Sequence, residues 1–188
     1  MMGFLDLFRK KPALDTRNLI INVTENGIDI NGEHITLPCD IDLLKRLLGE
    51  ARQTEQRSYR TDHRAYNPKN PNPKIYNYTW DKIGLYCRSF DDKLADYVCA
   101  RTSGEIDYAF LPEETFSGIF TINGINWFDV MKKSQIYWFA EQGEGIPRCR
   151  YVRLGQYLIL SHYTDEDSDG KVNSYEDLNS INVEIIIR

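Results

Sequence analysis

The chain has 188 residues, of which 41% are hydrophobic and 12% aromatic, enough for one domain with a substantial core. Its formal net charge is −5. Nucleic-acid-binding proteins present a basic surface, so we expect no nucleic-acid partner. No run of the sequence approaches the roughly 20 apolar residues of a membrane helix, so we expect no stable membrane insertion.

The chain begins with MMGFLDLFRKK, the N-terminal segment (residues 1–11). Two phenylalanines and two leucines precede its three basic residues, which is the reverse of the order in a secretory signal peptide. We therefore expect a cytoplasmic protein, with a flexible tail over residues 1–17 and a single α+β domain over residues 18–188. The alternative is that the N-terminal segment is weakly amphipathic and docks on a membrane surface or a partner.

Two Asn-Gly pairs in NLIINVTENGIDINGEHITLP predict tight hairpin turns, because Asn and Gly accept positive φ at both central turn positions. With the second pair as the turn, Ile28 faces Ile35 and Asp29 faces His34. The aliphatic pair then points inward and the polar pair outward. We expect His34 to be a solvent-facing partner of Asp29, not a ligand.

A short helix is predicted next, in CDIDLLKRLLGE. Asp40 is a good N-cap residue, because its side chain can accept a hydrogen bond from the first turn. Ile41, Leu44 and Leu48 form one apolar stripe, and Gly49 can end the helix.

The stretch GIFTINGINWFDVMKK has a similar pattern later in the chain. With its Asn-Gly pair as the turn, Phe120 faces Trp127 and Ile122 faces Ile125, all on one face of the hairpin. The residues that follow indicate a second short helix. The likeness of IDINGEHI to FTINGINW suggests two related hairpin-helix units.

Residues 51–74 are predicted to form a long basic loop. They carry six basic and two acidic residues, a net charge of +4, and three prolines near their end. Loops of this length are usually functional or disordered. The first part could instead extend the preceding helix, because ARQTEQR tolerates helical structure. His63 beside Asp62 has no nucleophile in the neighbouring sequence and is not expected to be catalytic.

Strand patterns dominate the rest of the chain. IYNYTW, IGLYCRS and LADYVCART predict a meander, with SFDDK as a turn, and QIYWFA, RCRYVRL, QYLILSHY and INVEIII predict further strands. Cys87 and Cys99 fall within these runs, which indicates buried, reduced thiols. The expected fold class is α+β, a mostly antiparallel sheet with two short helices.

The stretch DEDSDGKVNSYE, residues 165–176, matches the twelve-residue calcium loop of an EF-hand. The candidate calcium ligands are Asp165, Asp167, Asp169, the backbone carbonyl of Lys171, Asn173 and Glu176. An EF-hand loop lies between two helices, whereas the segment entering this one has a strand pattern. The alternative is therefore an acidic connection between two strands, with DSDG as turn chemistry.

The same region is a candidate protein-binding surface, because six acidic residues and one lysine give residues 165–177 a net charge of −5. The acidic residues are Asp165, Glu166, Asp167, Asp169, Glu176 and Asp177. Such a concentration of charge steers a basic partner and raises its association rate. The sequence contains no nucleophile elbow, P-loop, zinc-protease or dinucleotide motif, so no catalytic residue is predicted.

The chain resembles a family of small bacterial proteins of unknown function. The resemblance is carried by GFLDLFRKK, NLIIN, INGEHITLP with LLKRLLGE, YTWDKIGLYC and FSGIFTINGINWFDVM, which together extend over most of the chain. It implies a single cytoplasmic domain without an assigned activity. Some small acidic bacterial proteins of this type are immunity proteins, which bind and block a cognate toxin.

These observations favour a non-enzymatic binding protein, an immunity protein whose partner is a basic toxin domain. No cofactor is required under this hypothesis, although Ca²⁺ is possible. One alternative is a calcium-binding regulatory module that uses residues 165–176. A further alternative is an enzyme of unrecognised type, with residues 51–74 as a lid over a pocket lined by Tyr78 and Trp80.

Overall fold

A computed structural model describes residues 18–57, 73–102, 109–137, 148–163 and 180–187. In these ranges the chain forms fifteen strands and two helices. The strands are β1 (Ile20–Thr24), β2 (Gly27–Ile30), β3 (Glu33–Ile35), β4 (Cys39–Asp40), β5 (Arg52–Arg57), β6 (Lys74–Trp80), β7 (Leu85–Ser89), β8 (Leu94–Ala95), β9 (Tyr97–Arg101), β10 (Ile119–Ile122), β11 (Ile125–Asn126), β12 (Gln135–Tyr137), β13 (Arg148–Leu154), β14 (Tyr157–Tyr163) and β15 (Ser180–Ile187). The helices are α1 (Ile41–Leu48) and α2 (Trp127–Lys132).

The larger sheet has eight strands in the order β12-β13-β14-β15-β9-β7-β6-β5. Every neighbouring pair in it is antiparallel. The predicted meander is present as β6, β7 and β9, which lie side by side. Strand β15 follows β14 in the chain and pairs with β9 on its other side. The last described strand therefore lies in the middle of the sheet.

The smaller sheet has five strands in the order β11-β10-β1-β2-β3. Its central pair, β1 and β10, is parallel, with Ile21 opposite Phe120 and Val23 opposite Ile122. The remaining pairs of this sheet are antiparallel. A short antiparallel pair of β4 and β8 lies apart from both sheets.

One hydrophobic cluster joins the two sheets and α1. Alternate residues of several strands of both sheets point into it, as expected for sheets with one buried face. Its members include Ile21, Val23, Ile28 and Phe120 from the smaller sheet, Tyr78, Leu85, Val98, Ile159 and Ile185 from the larger sheet, and Leu44 from α1. A smaller cluster of Tyr86, Cys99 and Leu111 packs on the other face of the larger sheet.

The first hairpin, formed by β2 and β3, has the predicted register. Ile28 pairs with Ile35 and Asp29 pairs with His34. The Nδ1 atom of His34 lies 2.8 Å from Oδ1 of Asp29, and both side chains are partly exposed. The turn residue Asn31 has a φ of 52°, as a tight Asn-Gly turn requires.

Helix α1 also begins and ends as predicted. The side chain of Asp40 accepts a 2.7 Å hydrogen bond from the backbone N–H of Asp42, which caps the first turn. Ile41, Leu44 and Leu48 are its buried residues, and the chain leaves the helix at Gly49. Local sequence chemistry therefore specifies this element.

The second hairpin is formed by β10 and β11, with Ile122 paired to Ile125 as predicted. The rings of Phe120 and Trp127 lie 6.4 Å apart, but Trp127 is the first residue of α2 and does not continue the strand. In the first hairpin, by contrast, β4 intervenes before the helix. A relationship between the two hairpin-helix units remains a prediction.

The predicted loop over residues 51–74 is wrong in its first part, as is the alternative of a helical extension. Residues 52–57 form β5, an edge strand paired along its whole length with β6. Along β5, partly buried residues alternate with exposed ones. This is the burial pattern of a strand at the edge of a sheet, although β5 contains no apolar residue. Cross-strand pairing outweighs the helix tolerance of this stretch. Residues 58–72 lie outside the described residues.

The described chain is therefore rich in strands, mostly antiparallel, with two helices, in agreement with the expected α+β class. Neither helix is long and apolar enough to cross a membrane, within the ranges that the structure describes.

The position of β15 predicts the effect of truncating one of its side chains. Ile185 is 2% exposed, and Ile185→Ala should lower the free energy of unfolding by about 2–5 kcal/mol, because it leaves a cavity between the sheets. Urea denaturation measures the change. Ile125→Ala is the matched control, since Ile125 is 56% exposed and should change stability by less than about 0.5 kcal/mol. Equal effects would contradict this packing.

Candidate functional site

The candidate acidic and calcium-binding residues lie in the connection between β14 and β15, outside the described residues. This applies to Asp165, Glu166, Asp167, Asp169, Lys171, Asn173, Glu176 and Asp177. The structure does describe the two points that anchor this connection. Tyr163 at the end of β14 pairs with Ser180 at the start of β15. The segment that enters the calcium-like loop is a strand, as the sequence predicted.

Two further connections are anchored at the same end of the larger sheet. Strand β9 ends there, because Arg101 pairs with Asn182 near the start of β15. Strand β12 ends there and β13 begins there, because Tyr137 pairs with Cys149. We call this end of the larger sheet its acidic end.

The sequence explains that name. Residues 103–108, which follow β9, and residues 138–147, which join β12 to β13, each contain two acidic and no basic side chains. With the net charge of −5 in residues 165–177, all three connections are acidic. The strand register thus attaches three separate acidic stretches to one end of a single sheet.

The basic connection is attached at the opposite end. Arg57 at the end of β5 pairs with Lys74 at the start of β6, whereas the first residue of β5 pairs with Thr79 near the acidic end. Residues 58–72, which join these strands, contain three basic residues and one acidic residue. The two predicted charged regions are therefore attached at opposite ends of the sheet.

An ion pair fastens the described part of the acidic end. The Arg52 guanidinium donates two hydrogen bonds to the carboxylate of Asp81, at 2.9 and 2.7 Å. It also donates to the backbone carbonyls of Ala109 and Leu111, at 2.7 and 3.0 Å. Asp81 accepts a further bond from the backbone N–H of Glu113. This network holds residues 109–113 against the ends of β5 and β6.

The network also sets the charge of Asp81. Its hydrogen bonds with Arg52 lower the pKa of the carboxyl below the usual value for aspartate, and the nearby positive charge adds to the effect. The pKa of Arg52 is raised for the same reason. Both groups are therefore ionised at neutral pH and neutralise each other.

A cleft of about 360 Å³ opens beside this ion pair. It is lined by Leu48, Glu50, Arg52, Thr79, Trp80, Asp81, Lys82 and Ile83. The proposed enzyme pocket included both Tyr78 and Trp80, but only Trp80 lines this cleft, and its Nε1 donates to the carbonyl of Gly49 at 2.8 Å. Two of the charged side chains in this lining, Arg52 and Asp81, bind each other.

A second polar cluster was not predicted from the sequence. The hydroxyl of Tyr78 donates a 2.5 Å hydrogen bond to Asp92, and the side-chain amide of Gln53 donates to both. Burial raises the pKa of Tyr78, and the hydrogen bond to Asp92 raises it further, so the phenol stays protonated. The cluster ties β5 and β6 to the turn after β7. Turn chemistry in SFDDK indicated the turn but not this partner.

Other acidic residues of the described chain are exposed or stabilise a turn. Glu113 and Glu114 are exposed charges in a turn. Asp91 accepts backbone hydrogen bonds from Lys93 and Leu94, which lowers the pKa of its carboxyl and closes the turn before β8. Within the ranges that the structure covers, no three His, Cys, Asp or Glu side chains lie close enough to hold a metal ion.

Cys39, Cys87 and Cys99 are free and buried, as predicted for Cys87 and Cys99. Burial raises the pKa of Cys39 to about 12 and also raises that of Cys87. These thiols are protonated at neutral pH, and a protonated, buried thiol is a poor nucleophile.

The Arg52–Asp81 pair predicts a pH-dependent loss of stability. The folded-state pKa of Asp81 lies below its unfolded value, so the stabilisation is complete above the unfolded pKa and is lost as the pH falls through the folded pKa. Asp81→Asn should lower the free energy of unfolding by about 1–2 kcal/mol at pH 7, a range reduced for solvent screening of Arg52. Urea denaturation at decreasing pH should show the difference from wild type disappearing.

The control is Glu55→Gln, which removes the exposed pair between Lys74 and Glu55, 3.0 Å apart. Exposed pairs contribute little, so this variant should resemble wild type at every pH. An Asp81→Asn difference that persists unchanged at low pH would show that lost packing, not lost charge, causes it.

Comparison with known proteins gives a family assignment. A family model described as a domain of unknown function, DUF7738, matches residues 20–137, which is more than half of the chain. No curated protein and no solved structure matches the chain significantly. The matched residues run from β1 through β12, so they include the whole smaller sheet, both helices and the Arg52–Asp81 pair. The chain belongs to the DUF7738 family of domains of unknown function.

Proposed function

We propose that this protein is a non-enzymatic binding protein that acts as a bacterial immunity protein, neutralising a basic toxin domain in the cytoplasm. The observation that carries the proposal is the gathering of three acidic connections at one end of the larger sheet. A basic partner would meet negative charge from several parts of the chain at once. Charge arranged in this way accelerates association and disfavours acidic competitors.

The rigidity of the anchoring sheet supports this function. Strands β14, β15 and β9, which carry two of the acidic connections, are paired side by side, with one register shift between His162 and Tyr163. The network of Arg52, Asp81 and the carbonyls of residues 109–111 fixes the adjoining backbone. A partner that docks at this end would therefore bind a surface whose base needs little ordering, and reduced ordering favours tight binding.

The toxin hypothesis predicts protection that depends on the acidic charge. Proteins encoded beside this chain are expressed alone and together with it, and growth of the host cell is measured. Co-expression should relieve the toxicity of one of them, and the relieving complex should co-purify. Replacing Asp165, Asp167 and Asp169 by Asn should weaken both the protection and the complex, most strongly at low salt, because salt already screens the attraction of the wild-type charges when its concentration is raised.

The matched control replaces Glu25, Glu33 and Asp129 by their amides. These three residues are exposed, lie away from the acidic end and give the same change in net charge. If both triple variants protect equally well, the acidic end is not the interface. If no neighbouring protein is toxic and none binds, the immunity function is wrong.

The second candidate function is a calcium-binding regulatory module, since residues 165–176 match the calcium loop at each ligand position. Calorimetric titration should then show saturable calcium binding, which Asp169→Ala with Glu176→Ala abolishes. Bound calcium should also raise the melting temperature by mass action. A flat titration at millimolar calcium would leave the stretch as an acidic connection. Calcium binding without toxin protection would favour this function over the first.

A further inference from the structure

An exposed isoleucine pair lies on the outer face of the smaller sheet. Ile20 in β1 is 46% exposed and Ile119 in β10 is 52% exposed. The two residues are opposite each other in the parallel register, so their side chains stand on the same face of neighbouring central strands. We call them the isoleucine patch. Two large apolar side chains at the middle of a sheet form a contiguous surface that water solvates poorly.

The patch is bounded by polar groups further along the same strands. The next outward pair is Asn22 and Thr121, joined by a 2.8 Å hydrogen bond from the Thr121 hydroxyl to the Asn22 Oδ1. Beyond it, Asp29 and His34 continue the polar face across β2 and β3. The apolar surface is therefore confined to the beginning of β1 and β10.

Residues 1–17 precede the described part of the chain, whose first strand, β1, begins with Ile20 itself. The N-terminal segment, residues 1–11, contains the apolar cluster FLDLF followed by RKK. Ten residues separate Phe8, the last large apolar residue of this segment, from Leu19, and a linker of this length allows the chain to fold back. A docking group tethered this closely has a high effective concentration, so a weak contact suffices.

We propose that the N-terminal segment folds back and docks through its phenylalanines and leucines on the isoleucine patch. A second copy of the chain fits less well, because a stable dimer buries about 800 Å² on each partner and two isoleucines supply far less. Docking would cover the patch and hold the basic residues against the protein.

The test is limited trypsin digestion of the full-length protein, with cleavage after Arg9 and Lys10 followed by mass spectrometry. Docking protects these bonds in wild type. Ile119→Thr keeps a β-branched residue in β10 but removes apolar surface, and it should raise the cleavage rate several-fold. Phe8→Ser should do the same. The double variant should cleave no faster than either single variant, because both substitutions remove one interaction.

Ile125→Thr is the matched control, as it makes the same change at an exposed isoleucine in β11, away from the patch. Its cleavage rate should equal that of wild type. Equal rates in all variants, or additive rates in the double variant, would overturn the proposal. Denaturation curves confirm that each variant is folded before digestion.

Two further measurements test whether a second copy of the chain or a membrane surface binds the patch or the N-terminal segment instead. Sedimentation equilibrium that shows a dimer, lost in Ile119→Thr, would assign the patch to a second copy and overturn the proposal. Co-sedimentation with anionic phospholipid vesicles that Phe8→Ser abolishes and Ile119→Thr leaves unchanged would make the segment a membrane-docking element instead. If the protein is a monomer and stays in the supernatant when the vesicles are pelleted, the result supports docking within the chain.

Discussion

The pairing of β15 between β14 and β9 is the constraint on which the larger sheet depends. Without it, β12-β13-β14 and β9-β7-β6-β5 would be two separate sheets, each with a long unpaired edge. Strand β15 also contributes Ile185 to the cluster shared with the smaller sheet. One strand therefore supplies backbone hydrogen bonds on both sides and apolar packing between the layers.

The strand pairing also determines at which end of the sheet each charged connection is attached. Because neighbouring strands are antiparallel, connections leave the sheet alternately at its two ends. The acidic stretches 103–108, 138–147 and 165–177 are attached at one end, whereas the basic residues 58–72 are attached at the other. Arg52 and Asp81 lie at the acidic end but neutralise each other, so they stabilise the backbone without adding net charge. The stabilising ion pair and the acidic connections thus consist of different side chains at one end of the sheet.

Local chemistry explains what the sequence could predict. The pairing of Ile28 with Ile35 follows from one Asn-Gly turn, and the cap at Asp40 follows from its own helix. Strand β5 was missed because it has no apolar period, and its strand character comes from β6. The bond between Arg52 and Asp81 spans 29 positions, and no local pattern indicates a partner at that distance. The convergence of acidic connections also required the strand order.

The parallel pairing of β1 with β10 has a consequence for the chain during its synthesis. The Asn22–Thr121 bond joins residues 99 positions apart, so a ribosome completes β1, β2 and β3 long before β10 emerges. Strand β9 is likewise synthesised before β15, with which it pairs. In that interval two strands carry unpaired backbone edges, which are templates for pairing with other nascent chains. The protein is therefore most exposed to aggregation while it is being translated, and a chaperone that covers strand edges would protect it most at that stage.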